Sequence, residues 1–107
     1  MINSDNENIR AALIKGLTDS FLDVRIEALN GLANRKHPQA TEWVLDALQA
    51  KDIVSGYFEA AQTLADIKLL ADLLRIKAQC VAESCKSDSY FMSCLDDAIA
   101  ACSANQN

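Results

Sequence analysis

The chain has 107 residues, half of them hydrophobic, with a formal net charge of −5 and a sequence pI near 4.6. This length allows one domain, and the low counts of glycine (3) and proline (1) argue against a turn-rich all-β fold. The acidic balance disfavours nucleic-acid binding, which depends on Lys and Arg, and favours a basic partner.

Three amphipathic helices are predicted in the first half, where apolar residues recur at i, i+3, i+4 and i+7. The first covers about residues 6–17, with Ile9, Ala12 and Leu13 on its apolar stripe. The second covers about residues 21–34, and its inward residues are predicted to be Val24, Ala28, Leu29 and Leu32. The third begins at Pro38, because proline suits the first position of a helix.

Three more helices follow the same spacing. The fourth comes after Asp52, the fifth begins near Asp66 and fades near residues 84–86, and the sixth follows Ser89. Trp43 and Tyr57 lie on apolar stripes and are predicted to be core residues, whereas Phe58 lies beside its stripe. Short links between the helices predict that sequential helices pack as antiparallel neighbours.

A repeat organises these helices. The segment Glu27–Ala33 (EALNGLA) returns 32 residues later as Glu59–Ala65 (EAAQTLA), both times within a helical pattern. Such a period is typical of stacked helical repeats. The sequence therefore predicts an all-α fold, a right-handed α-solenoid of about three antiparallel helix pairs, in units near 5–35, 36–65 and 66–103. A closed helical bundle is the alternative.

One segment carries a family resemblance. Residues 19–33 (DSFLDVRIEALNGLA) resemble the HEAT-like repeat of the phycobilisome-lyase type, a bacterial family with an armadillo-like superhelix. The matching positions are Asp19, the Val24-Arg25 pair, Ala28 and Leu32. The second unit keeps Glu59, Ala60, Leu64 and Ala65 but has Gly56-Tyr57 in place of the pair. The resemblance implies a protein-binding scaffold, and some relatives act as immunity proteins or as chromophore lyases.

Residues with reactive or metal-binding side chains form no recognisable site. Cys94 and Cys102 are separated by about 12 Å along one helix, so they cannot share a metal. Cys80 and Cys85 lack the CxxC spacing of zinc sites. We expect Cys80, Cys94 and Cys102 to be core residues, with a disulfide across the last helix pair as the alternative.

Catalytic and cofactor-binding patterns are also missing from the sequence. His37 has no carboxylate or nucleophile in its sequence context, and the adjacent Asp96 and Asp97 point about 100° apart on a helix. There is no Gly-rich phosphate loop. The sequence therefore predicts a protein that is not an enzyme and binds no cofactor or metal. It opens polar, without a signal peptide or a membrane-length apolar run, which predicts a cytoplasmic location.

The polar sides of the second and fourth helices are the predicted partner-binding surface. In the fold that the resemblance implies, these helices line the concave side, and their polar residues make that side acidic. The predicted contact residues are Asp23, Glu27, Asn30, Asn34, Ser55, Phe58, Glu59 and Gln62. Phe58 is predicted to be an exposed aromatic anchor. A merely solvated face is the alternative.

The predicted function is a protein–protein interaction module for a basic partner protein, with no nucleic acid and no membrane. The alternatives are an immunity protein that inhibits a basic toxin and a lyase-related enzyme subunit. Ile14 lies off the main stripe of the first helix. It therefore suggests either that the chain is the end of a longer repeat array or that its N-terminal unit associates with a partner, such as a second copy.

Overall fold

The computed structural model describes residues 7–50, 53–82 and 89–104. Within these ranges there are six α-helices and one 3₁₀ turn, and no β-strand. The helices are α1 (Glu7–Gly16), α2 (Leu22–Asn34), α3 (Ala40–Leu48), α4 (Ser55–Leu64), α5 (Leu70–Ala82) and α6 (Ser89–Ala104), with the 3₁₀ turn at Ile67–Leu69. The all-α prediction is confirmed. The 3₁₀ turn precedes α5, and the Asp66 carboxylate caps it by accepting the Lys68 N–H.

The helices pack as three successive pairs: α1 with α2, α3 with α4, and α5 with α6. The second helices of the pairs form one layer, in which α4 lies between α2 and α6. The two copies of the repeated heptad therefore lie on neighbouring second helices, although α4 ends one residue before Ala65. This pairwise packing is that of a short helical-repeat array.

The core is centred on α4. Tyr57, Phe58, Ala60 and Ala61 are all buried there. The ring of Phe58 meets the ring of Phe91 from α6 edge to face, with centroids 5.0 Å apart. Other fully buried residues come from every helix except α1, and the largest are Leu32, Leu48, Leu69, Leu73 and Leu95.

Helix α2 approaches both of its neighbours closely through small residues. A Cβ atom on Gly16 of α1 would lie 3.0 Å from the Cβ of Ala28. On the other side, Gly56 of α4 lies against Ile26. The Asn30 amide reinforces the contact with α4, because its Nδ2 donates to the carbonyl oxygens of both Ile26 and Gly56 at 3.1 Å.

The predicted inward stripe of α1 is wrong at its N-terminal end, whereas Leu13 and Gly16 do pack against α2. No residue of α1 is buried, and Ile9 is 43% exposed. Val24, predicted to point inward from α2, is also exposed. The physical reason is that α1 packs mainly on α2 and has few contacts with α3, so part of its apolar side has no covering helix.

Two helices end in left-handed residues that are not glycine. Lys36 follows α2 with φ 54°, and Ala65 follows α4 with φ 49°. After α2, the His37 N–H donates to the Leu32 carbonyl and the Lys36 N–H to the Ala33 carbonyl. These two bonds form a Schellman motif, which satisfies carbonyls that the helix leaves without partners.

Candidate functional site

The surface of the α2–α4–α6 layer that points away from the core carries equivalent acidic residues from both repeat copies. Glu27 on α2 and Glu59 on α4 are both exposed. Residues two positions apart on a helix point about 200° apart. The buried Leu29 and Tyr57 therefore lie on the opposite sides of these helices. Asp23, Asn34 and Gln62 are exposed as well. We call this surface the polar face.

Helix α6 extends the polar face with residues that are not among the predicted contact residues. Tyr90, Ser93 and Asp97 are exposed and share one side of α6, since they are spaced at i, i+3 and i+7. The Tyr90 hydroxyl donates to Glu59 Oε2 at 2.6 Å, which places it on this face. This hydrogen bond, with a smaller contribution from Cys94, raises the pKa of the Tyr90 phenol above its ordinary value. The same periodicity that identified Glu27 and Glu59 could have identified these residues.

The charge of the polar face is one-sided. Its carboxylates are Asp23, Glu27, Glu59 and Asp97, and none of them forms an ion pair with a Lys or Arg of the described residues. Lys36, which follows the C-terminal end of α2, donates its Nζ–H to the Thr63 carbonyl at 2.9 Å and not to one of these carboxylates.

Three predicted contact residues take other positions. Phe58 is fully buried, so the prediction that it is an exposed anchor is wrong. It lies on the side of α4 that faces α6, and α6 belongs to the unit whose sequence departs most from the repeat. Asn30 is half-buried and uses its Nδ2 to tie α2 to α4. Ser55 is half-buried at the first position of α4.

Asp19 and Arg25, which carry part of the repeat resemblance, fasten the turn between α1 and α2. Asp19 Oδ1 accepts the Phe21 N–H at 2.9 Å, and Arg25 Nη1 donates to the Asp19 carbonyl oxygen at 2.7 Å. The carboxylate therefore caps the backbone before α2. Arg25 pairs with the backbone of Asp19, not with its side chain.

Cys94 and Cys102 are free thiols. Cys94 and Cys102 are buried as predicted, and Cys80 is half-buried; Cys85 lies outside the described residues. The Cys102 Sγ donates to the Ala61 carbonyl at 3.8 Å. Burial raises the pKa of this thiol, and the nearby charge of Asp66 acts in the same direction.

The remaining polar candidates have structural partners. His37 Nδ1 accepts the Gln39 N–H at 3.0 Å, and its ring lies 4.9 Å from that of Trp43. Asp96 pairs with Lys77 at 2.7 Å. Among the described residues, no three His, Cys, Asp or Glu side chains come together in a way that could hold a metal. None of the helices in these ranges has the length and hydrophobicity required to cross a membrane.

Comparison with known proteins agrees with the helix-pair architecture. A family model described as HEAT repeats matches residues 9–91, from α1 to the start of α6. Curated relatives include Protein YibA of Escherichia coli K12 and of E. coli O157:H7, each 36% identical over 66 residues. The match covers 62% of this chain and 24% of each relative, so the chain spans about a quarter of their length. No solved structure shows a significant match. Because the family match extends over most of the chain, the protein belongs to the HEAT-repeat family.

Proposed function

We propose that this chain is a non-enzymatic protein-interaction module that binds a basic partner protein through the polar face. HEAT-repeat arrays present extended surfaces to other proteins. The observation that carries the proposal is the placement of Glu27 and Glu59 at equivalent exposed positions of adjacent helices, with no described Lys or Arg paired to them. A basic protein would supply the missing counter-charges.

The expected mechanism is electrostatic docking. Adjacent helices are separated by about 8–10 Å, so carboxylates on α2 and α4 repel one another weakly across the face. A basic surface would neutralise this repulsion and would be attracted by the combined electrostatic field of the carboxylates on the polar face. Exposed charges of this kind change the association rate and the salt dependence more than the final affinity.

Tyr90 replaces Phe58 as the proposed aromatic anchor. Tyr90 is 59% exposed, and its hydroxyl donates a hydrogen bond to Glu59. Tyrosine is enriched among the residues that contribute most to protein–protein binding, because it combines a large apolar ring with a polar end. A basic side chain that reaches Glu59 would also lie next to this ring.

Co-purification from the native host at low and high salt tests the proposal. The test variant is Glu27→Lys/Glu59→Lys, which reverses two charges on the polar face. The matched control is Glu7→Lys/Glu42→Lys, which makes the same change in net charge on α1 and α3, where both residues are exposed. We expect the wild-type chain and the control to recover the same basic protein at low salt, and the test variant to lose it. Equal recovery by all three, or no partner at low salt, would contradict the proposal.

Inhibition of a basic toxin is a special case of the same proposal and uses the same surface. If the co-purified partner is a basic nuclease, its activity should fall on addition of the wild-type chain and not of Glu27→Lys/Glu59→Lys. The phycobilisome-lyase subtype stays a prediction from the resemblance of residues 19–33. A pigment that remained bound through purification would support it.

A further inference from the structure

An apolar groove opens between α1 and α3, on the side of the molecule opposite the polar face. Its volume is 410 Å³, and its apolar lining consists of Ile14, Leu17, Leu29, Trp43, Ala47 and Tyr57. Leu29 and Tyr57, from α2 and α4, form its floor. For comparison, an apolar cavity of about 150 Å³ holds benzene, so the groove has room for an aromatic side chain.

Further repeats at either end of the array would not fill this groove. It lies between the first and second helix pairs, where α1 packs mainly on α2 and has few contacts with α3. A repeat added before α1 would pack on the side of α1 that faces away from α2. The groove therefore needs an occupant that comes from outside the stack.

The most exposed aromatic among the described residues lies beside the groove and is not part of its lining. Phe21 is 72% exposed and lies directly before α2. Its carbonyl accepts the Arg25 N–H, so Phe21 is one helical turn from Arg25, which lines the groove. Two copies can therefore each place this exposed apolar ring in the open apolar groove of the other.

The charged residues of the groove are also self-complementary. Besides Thr18, its polar lining consists of one cation, Arg25, and one anion, Asp46. No ion pair joins these two described residues within the chain. In a two-fold dimer, each contact between residue i and residue j occurs twice, with the roles of the copies exchanged. Arg25 of each copy can therefore meet Asp46 of the other.

From these observations we propose that the occupant is a second copy of this chain. The two copies form a two-fold dimer in which Phe21 of each enters the groove of the other, flanked by two Arg25–Asp46 pairs. The dimer leaves both polar faces directed outward, because the groove and the polar face lie on opposite sides of α2 and α4. It would present two partner-binding surfaces, and a bivalent partner could then bind far more tightly than to one copy. This inference does not depend on the proposed function.

Sedimentation equilibrium over micromolar to millimolar concentrations tests the dimer. The wild-type chain should shift toward twice its 11.7 kDa mass. Phe21→Ser should weaken dimerisation at least tenfold. The matched control is Tyr90→Ser, which removes an exposed aromatic from the polar face and should leave dimerisation unchanged. A wild-type chain that stays monomeric at millimolar concentration would overturn the proposal, as would a dimer that Phe21→Ser does not weaken.

Reversing the charges of Arg25 and Asp46 in separate variants gives a second, independent test of the dimer. Asp46→Arg and Arg25→Glu should each dimerise poorly alone, because like charges then face each other. Mixed together they should form a heterodimer, in which Arg at position 46 of one chain meets Glu at position 25 of the other. Native mass spectrometry distinguishes the species, and circular dichroism checks that Arg25→Glu still folds, since Arg25 holds the α1–α2 turn. If either variant alone dimerises as well as the wild-type chain, the proposed pairing is wrong.

Discussion

Gly56 of α4 lies so close to Ile26 of α2 that a Cβ atom at position 56 would overlap Ile26 Cγ2. Cγ2 is bonded directly to Cβ, so it cannot move aside without rotating a stiff β-branched side chain. Overpacking of this kind costs about 1–3 kcal/mol, and the better helix propensity of alanine returns about 1 kcal/mol. We expect Gly56→Ala to lower the free energy of unfolding by roughly 1 kcal/mol, measured by urea titration.

Gly31→Ala is the matched control for that measurement. A Cβ atom at position 31 would lie 3.0 Å from Leu13 Cδ2, the far end of a flexible side chain that is only half-buried. Leu13 can therefore shift, and the helix propensity of alanine should dominate. We expect Gly31→Ala to be neutral or to stabilise the protein by up to about 1 kcal/mol. An equal loss in both variants would mean that the Gly56–Ile26 contact is not the cause.

The left-handed residue after α4 offers a stabilising substitution. Ala65 has φ 49° and ψ 43°, a conformation that glycine adopts without steric cost. We expect Ala65→Gly to raise the free energy of unfolding by about 0.5–1 kcal/mol, with a matching rise in melting temperature. Ala33→Gly is the control at the equivalent position of the first repeat copy. Ala33 is buried in α2, so glycine there should destabilise by about 1 kcal/mol.

The helices and much of the core could be predicted because helical periodicity is a local property of the sequence. Ala28, Leu29 and Leu32 lie on the predicted stripe and are buried. Ile9 and Val24 follow the same pattern and are exposed. Periodicity shows which side of a helix is apolar, but it cannot show whether a neighbouring helix covers that side.

The polar face was predictable for the same reason where the repeat is regular. Glu27 and Glu59 lie at matching positions of two recognisable copies, and both are exposed. Phe58 could not be placed, because its burial depends on contact with Phe91 of α6. The third helix pair has no recognisable copy of the heptad, so the repeat pattern could not predict how this pair packs on α4.

Truncation of Phe58 should be the most damaging change in the core. The side chain is fully buried and joins α4 to α6 through the Phe91 ring. We expect Phe58→Ala to cost about 3–5 kcal/mol, a large share of the roughly 5–15 kcal/mol that stabilises a typical domain. Phe58→Leu should cost less, because it leaves a smaller cavity. Thermal unfolding followed by circular dichroism would rank the two, and a mild effect of Phe58→Ala would contradict the central place given to this residue.

The buried Cys102 thiol should make the protein less stable at alkaline pH. In the unfolded chain a thiol ionises with a pKa of about 8.5, whereas burial, with Asp66 nearby, raises the pKa of Cys102 in the fold. As pH rises past the unfolded value, the unfolded chain releases a proton that the fold retains. Linkage then requires the free energy of unfolding to fall with rising pH.

Cys102→Ser removes this proton and keeps a donor for the Ala61 carbonyl, which Cys102 Sγ contacts in the wild-type chain. Urea titrations at pH 7.5 and 9.5 should show a larger loss of stability in the wild-type chain than in the variant. Tyr90 is present in both proteins, so its ionisation cancels in the comparison. Equal losses of stability in the two proteins would contradict this prediction, because they would mean that the Cys102 thiol ionises as readily in the fold as in the unfolded chain. The full burial of Cys102 against Ala61 argues against such easy ionisation.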